Sequence, residues 1–160
     1  MELSQKELKE LLSYDAETGK FSWVQPKGSK AEGSPAGYVS WNGYVEIKIN
    51  KRVYWAHRLA WLYVHGNFPK EHTDHIDGDR ANNSISNLRE ASNAQNMQNI
   101  RNPTIKNTSG FLGVQKSGKK WKAMISVSGI KKHIGTFSSK EEAYEAYVRA
   151  KRINHEYCTL

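Results

Sequence analysis

Residues 73–99 read TDHIDGDRANNSISNLREASNAQNMQN: one histidine, three aspartates and six asparagines, without a lysine, in a chain whose formal net charge is +8. On a strand, the adjacent Asp74 and His75 would project to opposite faces, so each can hold a separate role. A water that attacks a phosphodiester must lose a proton, and the leaving alkoxide must be neutralised; a histidine base and a divalent cation supply these. His75 suits the base and Asp74 the cation. Mg²⁺ takes oxygen ligands, keeps several waters, and accepts one or two protein ligands beside a substrate phosphate. An asparagine amide oxygen is an acceptable further ligand, and Asn96 and Asn99, three apart in a helix that follows Ser92, would share one face. Asp77-Gly78-Asp79 reads as a turn. An EF-hand loop is excluded, because Ala81 stands at its fifth position and Leu88 at its twelfth.

The chain has 160 residues, 38% apolar and 25% charged, which is globular composition. No apolar run is long enough to span a bilayer, and residues 1–12 hold no apolar signal core. A soluble, cytoplasmic protein without a membrane partner is expected. Cys158 is the only cysteine, which excludes an internal disulfide or a multi-cysteine zinc site. The charge is lopsided: residues 1–100 carry 12 Lys+Arg against 12 Asp+Glu, whereas residues 101–160 carry 12 against 4. All of the net charge therefore lies in the last sixty residues, the footprint of a polyanionic partner such as nucleic acid.

Ser4 and Glu7 predict a capping box for a helix in LSQKELKELL, with Leu3 and Leu8 as its staple. A turn at Glu17-Thr18-Gly19 precedes a short strand. The alternation of GYVSWNGYVEIKINKRVYWAH around Asn42-Gly43 predicts an antiparallel meander with a two-residue hairpin there and a second turn near Asn50-Lys51. HRLAWLYVHG predicts a helix stopped by Gly66 and Pro69. RNPTIKNTSG suits a linker, so the expected division is residues 1–100, a linker 101–109, and a second domain 110–160. That second domain reads as three strands separated at Ser117-Gly118 and Ser128-Gly129, then a helix capped by Ser139 and Glu142. His57 and His65 are expected as satisfied structural histidines, with a supporting role at the site still open to His57. Trp23, Trp41, Trp55 and Trp61 are expected in the core.

The order Asp74-His75, NNSISNLR and Asn96 resembles the HNH homing endonucleases, and AHRLAW (Ala56 to Trp61) and YDAETGKFSW (Tyr14 to Trp23) are similar to phage members of that family. The resemblance implies an α+β fold with a ββα-metal (His-Me finger) nuclease core. It implies His75 as general base, Asn87 as the residue that holds the loop, and Asp74 and Asn96 as ligands of Mg²⁺ or Mn²⁺. The last motif position is asparagine rather than histidine, as in one branch of the family. No small-molecule cofactor is implied.

The second half resembles the plant AP2 DNA-binding domain through GFLGV, Trp121 with Ala123 and Ile125, IGTF and EEAYEAY. It implies a three-stranded antiparallel sheet packed on one helix and laid against double-stranded DNA. Lys116, Lys119, Lys120, Lys122, Lys131 and Lys132 are then the contact candidates. Leu112 and Gln115 stand where the plant strands carry arginines, so these lysines suit phosphate positioning better than base reading. The expected function is metal-dependent DNA cleavage by a monomer in a phage-infected cell, with a dimer as the alternative oligomeric state. A non-catalytic DNA-binding regulator is the alternative function.

Overall fold

The computed structural model describes residues 2–104 and 106–160; Met1, and Ile105 within the expected linker, lie outside the described residues. In order, the elements are α1 (Gln5–Leu11), β1 (Leu12–Tyr14), β2 (Phe21–Trp23), β3 (Pro35–Ala36), β4 (Tyr38–Val39), β5 (Val45–Ile49), β6 (Arg52–Trp55), α2 (Ala56–His65), β7 (His72–His75), β8 (Leu88–Ala91) and α3 (Asn93–Gln98). Then follow β9 (Val114–Ser117), β10 (Lys120–Val127), β11 (Ile130–Phe137) and α4 (Lys140–Asn154). The sheets are small and antiparallel: β1-β2-β3, β4-β5-β6, β7-β8 and β11-β10-β9. By contact density the chain divides into two compact units, Met1–Asn93 and Ala94–Leu160.

In the first unit both halves of the Ser4–Glu7 capping box are made, and Leu8 and Leu12, fully buried, pack with Ile47, Ile49 and Leu59. α2 ends where Gly66 adopts a left-handed conformation (φ 84°) that most side chains resist. The meander forms, but its first connection is not the two-residue turn expected at Asn42-Gly43. β4 stops at Val39 and β5 starts at Val45, so residues 40–44 bridge the strands, closed by Ser40 N–H donating to Tyr44 O at 2.7 Å. The two-residue turn is Asn50-Lys51, where Ile49 pairs with Arg52 and both turn residues have positive φ (49° and 68°).

The second unit packs α4 against the β9-β10-β11 sheet, with Ala123, Ile125 and Val114 of the strands against Ala143 and Tyr147 of the helix. The small helix residues allow close approach. Gly113 lies so near the Tyr147 ring that an added Cβ would fall 2.1 Å from it. In the stretch expected as a linker, Asn107 Oδ1 accepts from the N–H groups of Ser109 and Gly110, and Ser109 Oγ donates to Val114 O at 2.8 Å. Those residues are thereby tied to the first strand of the sheet. None of the described helices is long and apolar enough to cross a membrane.

A candidate nuclease site around His75

β7 and β8 pair with Asp74 opposite Arg89 and His75 opposite Leu88. Between them the chain turns at Asp77-Gly78-Asp79, where Gly78 has φ 76° and its N–H donates to His75 O at 3.0 Å. Asn87 closes this loop. Its Oδ1 accepts from Asp77 N–H at 3.0 Å, and its Nδ2 donates to Asp77 Oδ1 at 2.9 Å and Asn82 O at 2.8 Å. Asn87 is buried, and these bonds satisfy both ends of its amide.

His75 and Asp74 are both buried, and on a strand they still diverge into different surroundings. The His75 ring meets His57 edge-on at 5.1 Å between centroids and lies 5.9 Å from Tyr44. Its Nε2 is 3.2 Å from Asn83 Oδ1. The Asn83 amide orientation follows from its Nδ2, which donates to Ala81 O at 3.0 Å. An oxygen facing Nε2 makes that nitrogen the donor and leaves the lone pair of the neutral ring on Nδ1. Burial pushes His75 below the ordinary histidine range, although the Asn83 contact and the carboxylates of Asp77, Asp74 and Asp79 pull the other way. The result is a neutral imidazole, the form in which a base can accept a proton.

Asp74 carries the Arg89 guanidinium: Nε and Nη2 approach the same oxygen, Oδ2, at 2.9 and 2.7 Å. A carboxylate offers about four lone-pair positions, so this pairing does not exhaust its capacity as a ligand. Among the described residues no group of three His, Cys, Asp or Glu side chains is arranged to hold a metal ion. A cation at Asp74 would rest on one carboxylate, waters and substrate phosphate. Hard Mg²⁺ or Mn²⁺ tolerates such a set and zinc does not favour it.

Asn96 is carried by α3 and belongs to the second unit, whereas Asp74, His75 and Asn87 belong to the first. Asn99 does not share a helix face with it: α3 ends at Gln98, and the Asn99 N–H donates to Asn96 O at 3.1 Å. The six candidate contact lysines of the second unit are exposed, but they do not share one face. Lys120, Lys122 and Lys131 alternate away from the buried Ala123 and Ile125. Lys116 pairs with Trp121 and Lys132 with Ile125, on the helix side, and Lys119 sits in the turn before β10.

Two expectations for aromatic residues are overturned. Trp41 is 97% exposed and Trp55 44%, so neither is core, while Trp23 is buried and Trp61 packs against the core. Trp55 instead stacks on Tyr44 at 5.5 Å. His57, expected to be satisfied, is buried with no hydrogen-bond partner for Nδ1 among the described residues. Its surroundings are the rings of Tyr44, Trp55 and His75. His65 is exposed and leans on Trp61 at 4.2 Å. Tyr44, Asn83 and Arg89 were not singled out by sequence. The Tyr that follows Asn-Gly, and the Asn and Arg inside the motif, were visible, but their partners were not.

Residues 54–98 match the HNH endonuclease family model. The matched HNH segment holds Asp74, His75, Asn87 and Asn96, and its family is one of nucleases acting on DNA. Over 76 residues the chain is 35% identical to Protein 3.8 of Escherichia phage T7, an alignment taking in 46% of this chain and 62% of that protein. The chain thus spans less than two thirds of the length of the curated relative it matches. No solved structure matches it significantly.

Burial depresses His57 to about 3, with the neighbouring charges of His75 and Arg58 acting in the same direction. The unfolded chain binds this proton near pH 6.5 and the folded one does not. The stability tied to a neutral His57 is therefore fully present above about pH 6.5 and falls as pH drops toward about 3, with a slope approaching about 1.4 kcal/mol per pH unit. Urea unfolding at neutral pH and near pH 5 measures the slope. His57→Phe, which keeps a ring, should flatten it, and an unflattened slope would assign the acid sensitivity to other groups.

Proposed function

We propose that the chain is a divalent-metal-dependent endonuclease of the homing type that hydrolyses phosphodiester bonds in double-stranded DNA. The observation that carries this reading is the neutral, Asn83-oriented His75 beside Asp74 within the HNH segment. His75, through Nδ1, takes the proton of the attacking water. Asn83 keeps the other nitrogen protonated, and Asn87 holds the loop that follows. HNH nucleases generally use divalent metals, and Asp74 would be a ligand of the cation, Mg²⁺ or Mn²⁺. When bound, that cation supplies neutralising charge to the leaving oxygen. Arg89 fixes the rotamer of Asp74 and lowers the cost of its burial.

The second unit is read as an AP2-like DNA-binding domain whose lysines track the phosphate backbone. Lys120, Lys122 and Lys131 share the sheet face turned away from α4, so they should contribute together. Changing these three to Gln should lower the slope of log K against log salt by up to about 0.9 per lost contact, measured by anisotropy on labelled duplex. Lys116→Gln with Lys132→Gln, on the helix side, should change it less. Equal effects would remove the open face from the reading.

A second reading, a DNA-binding regulator whose nuclease core is only scaffold, is favoured by one observation, the Arg89 guanidinium already seated on Asp74. Incubation of the purified protein with supercoiled plasmid, with and without Mg²⁺, separates the two. The nuclease reading expects Mg²⁺-dependent open-circle product, formed before linear product because one His75 serves one scissile phosphate at a time. Retardation of the plasmid without any nicking would favour the regulator.

A further inference from the structure

Trp41 stands at the tip of the 40–44 connection with nearly its whole indole in water. Burying so large an apolar ring is a main use of tryptophan, and the other tryptophans of the first unit are each packed or stacked. The tip that carries it is braced. Gly43 N–H donates to Ser40 O at 2.9 Å, and Tyr44 N–H donates to Asn42 Oδ1 at 3.1 Å. Arg80 reaches across from the loop that follows His75: its Nη1 donates to Asn42 O at 2.8 Å, and its guanidinium lies 4.9 Å from the Tyr44 ring centre. Tyr44 in turn lies 5.9 Å from the His75 ring. The residue after Trp41 is thus tied to the loop that follows His75, which braces the backbone from which the indole projects.

We propose that Trp41 is a wedge that stacks on a base of the DNA duplex beside the scissile phosphate; this rests on the nuclease reading of His75. Apolar side chains inserted at a base step partly unstack it and kink the duplex, and an aromatic face stacks on any base without regard to sequence. Such a kink turns the backbone out of its regular path and offers one phosphate to a histidine that is itself buried. DNA is the occupant that fits, because the braced tip is continuous with the loop that follows His75 and the exposed Arg80 guanidinium, a cation suited to phosphate, lies at its base. Trp41 would bind rather than react, and its effect would fall on the rate of cleavage of paired DNA.

Two arms test this. In the first, intrinsic fluorescence of the wild type and of Trp41→Phe is quenched with acrylamide, with and without a mixed-sequence duplex at low salt; the difference between the two proteins reports Trp41. Shielding of that difference signal by about two-fold or more on DNA binding is expected for a stacked indole. In the second, the nick position is mapped on plasmid, and short duplexes carry either paired or mismatched bases at that step. Trp41→Ala should slow cleavage of the paired duplex by about ten-fold or more, with most of the loss restored on the mismatched one, since an unpaired step is already unstacked. A Trp41 signal that stays quenchable in the bound complex overturns the proposal, as does an equal loss on both duplexes. Shielding that needs no DNA and grows with protein concentration also overturns it, in favour of a second copy as occupant. If the protein nicks nothing, the nuclease reading fails by itself, and the fluorescence arm still decides whether the indole enters DNA.

Discussion

Replacing His75 with alanine should cut the cleavage rate by about 10²–10⁴-fold while DNA affinity stays within about two-fold. The asymmetry follows from where the residue acts. A general base lowers the barrier by accepting a proton as the water attacks, and it makes no phosphate contact whose loss would weaken binding. Burial keeps the ring neutral, and Asn83 fixes which nitrogen is the acceptor. Because the ring also packs on His57 and Tyr44, circular dichroism and a thermal melt should accompany the kinetics. His75→Gln, which fills more of the space without supplying a base, serves as the second variant. A parallel fall in binding and cleavage would make His75 a packing residue. The measurement is single-turnover nicking with anisotropy on the same duplex.

Asn87→Asp should do more harm than Asn87→Ala. Alanine removes the amide and leaves the Asp77 N–H and two acceptors short of partners. Aspartate retains an acceptor for that N–H, but sets an oxygen where Nδ2 now faces Asp77 Oδ1 at 2.9 Å and Asn82 O at 2.8 Å. An attraction becomes a repulsion between the exposed Asp77 carboxylate and a second carboxylate at the buried position 87. A loss of about 3 kcal/mol or more is expected, enough to lower Tm by about 10 °C or more in a domain of this size. The sign with pH distinguishes this cause from simple bond loss. The new carboxyl titrates above its ordinary range, so the deficit of the aspartate variant should shrink in acid, whereas that of the alanine variant should keep its size. Melts of the three proteins at neutral pH and near pH 5 measure the difference. Equal deficits at both pH values would mean that the loop relaxes away from Asp77.

Features set by neighbours in the chain were readable before the structure. Both capping boxes, the Gly66 stop, and the turns at Asp77-Gly78-Asp79 and Ser128-Gly129 depend on residues a few positions apart. The nuclease motif was readable for a similar reason, as its histidine and aspartate are adjacent. What escaped was decided at a distance. Asn42-Gly43 has the composition of a two-residue hairpin, but Arg80, 38 residues on, holds the Asn42 carbonyl, and the wider connection results. The antiparallel register sets Arg89 against Asp74, and the intervening loop brings the Asn83 amide to His75; neither pairing follows from neighbours in the chain. Apolar character alone put Trp41 and Trp55 in the core, because composition does not tell an inward position from a hairpin tip. The six lysines were legible as charge, and only the register divides them between two faces.

The turn at Gly19 bears on inheritance. A side-chain carbon there would fall 2.2 Å from the Asn83 carbonyl carbon, Tyr14 donates its hydroxyl to Asn83 O at 2.8 Å, and Ile85 N–H donates to Ala16 O at 3.1 Å. Burial pushes the Tyr14 hydroxyl up to about 12, so it keeps its proton and remains a donor throughout the physiological range. The amide that orients His75 is therefore propped by chain lying some seventy residues earlier, outside the stretch that matches the nuclease family. A crossover near residue 54 would transfer the motif to a new gene without its prop. For His75 to arrive with its orienting amide in place, such an exchange must carry the opening hairpin along with it.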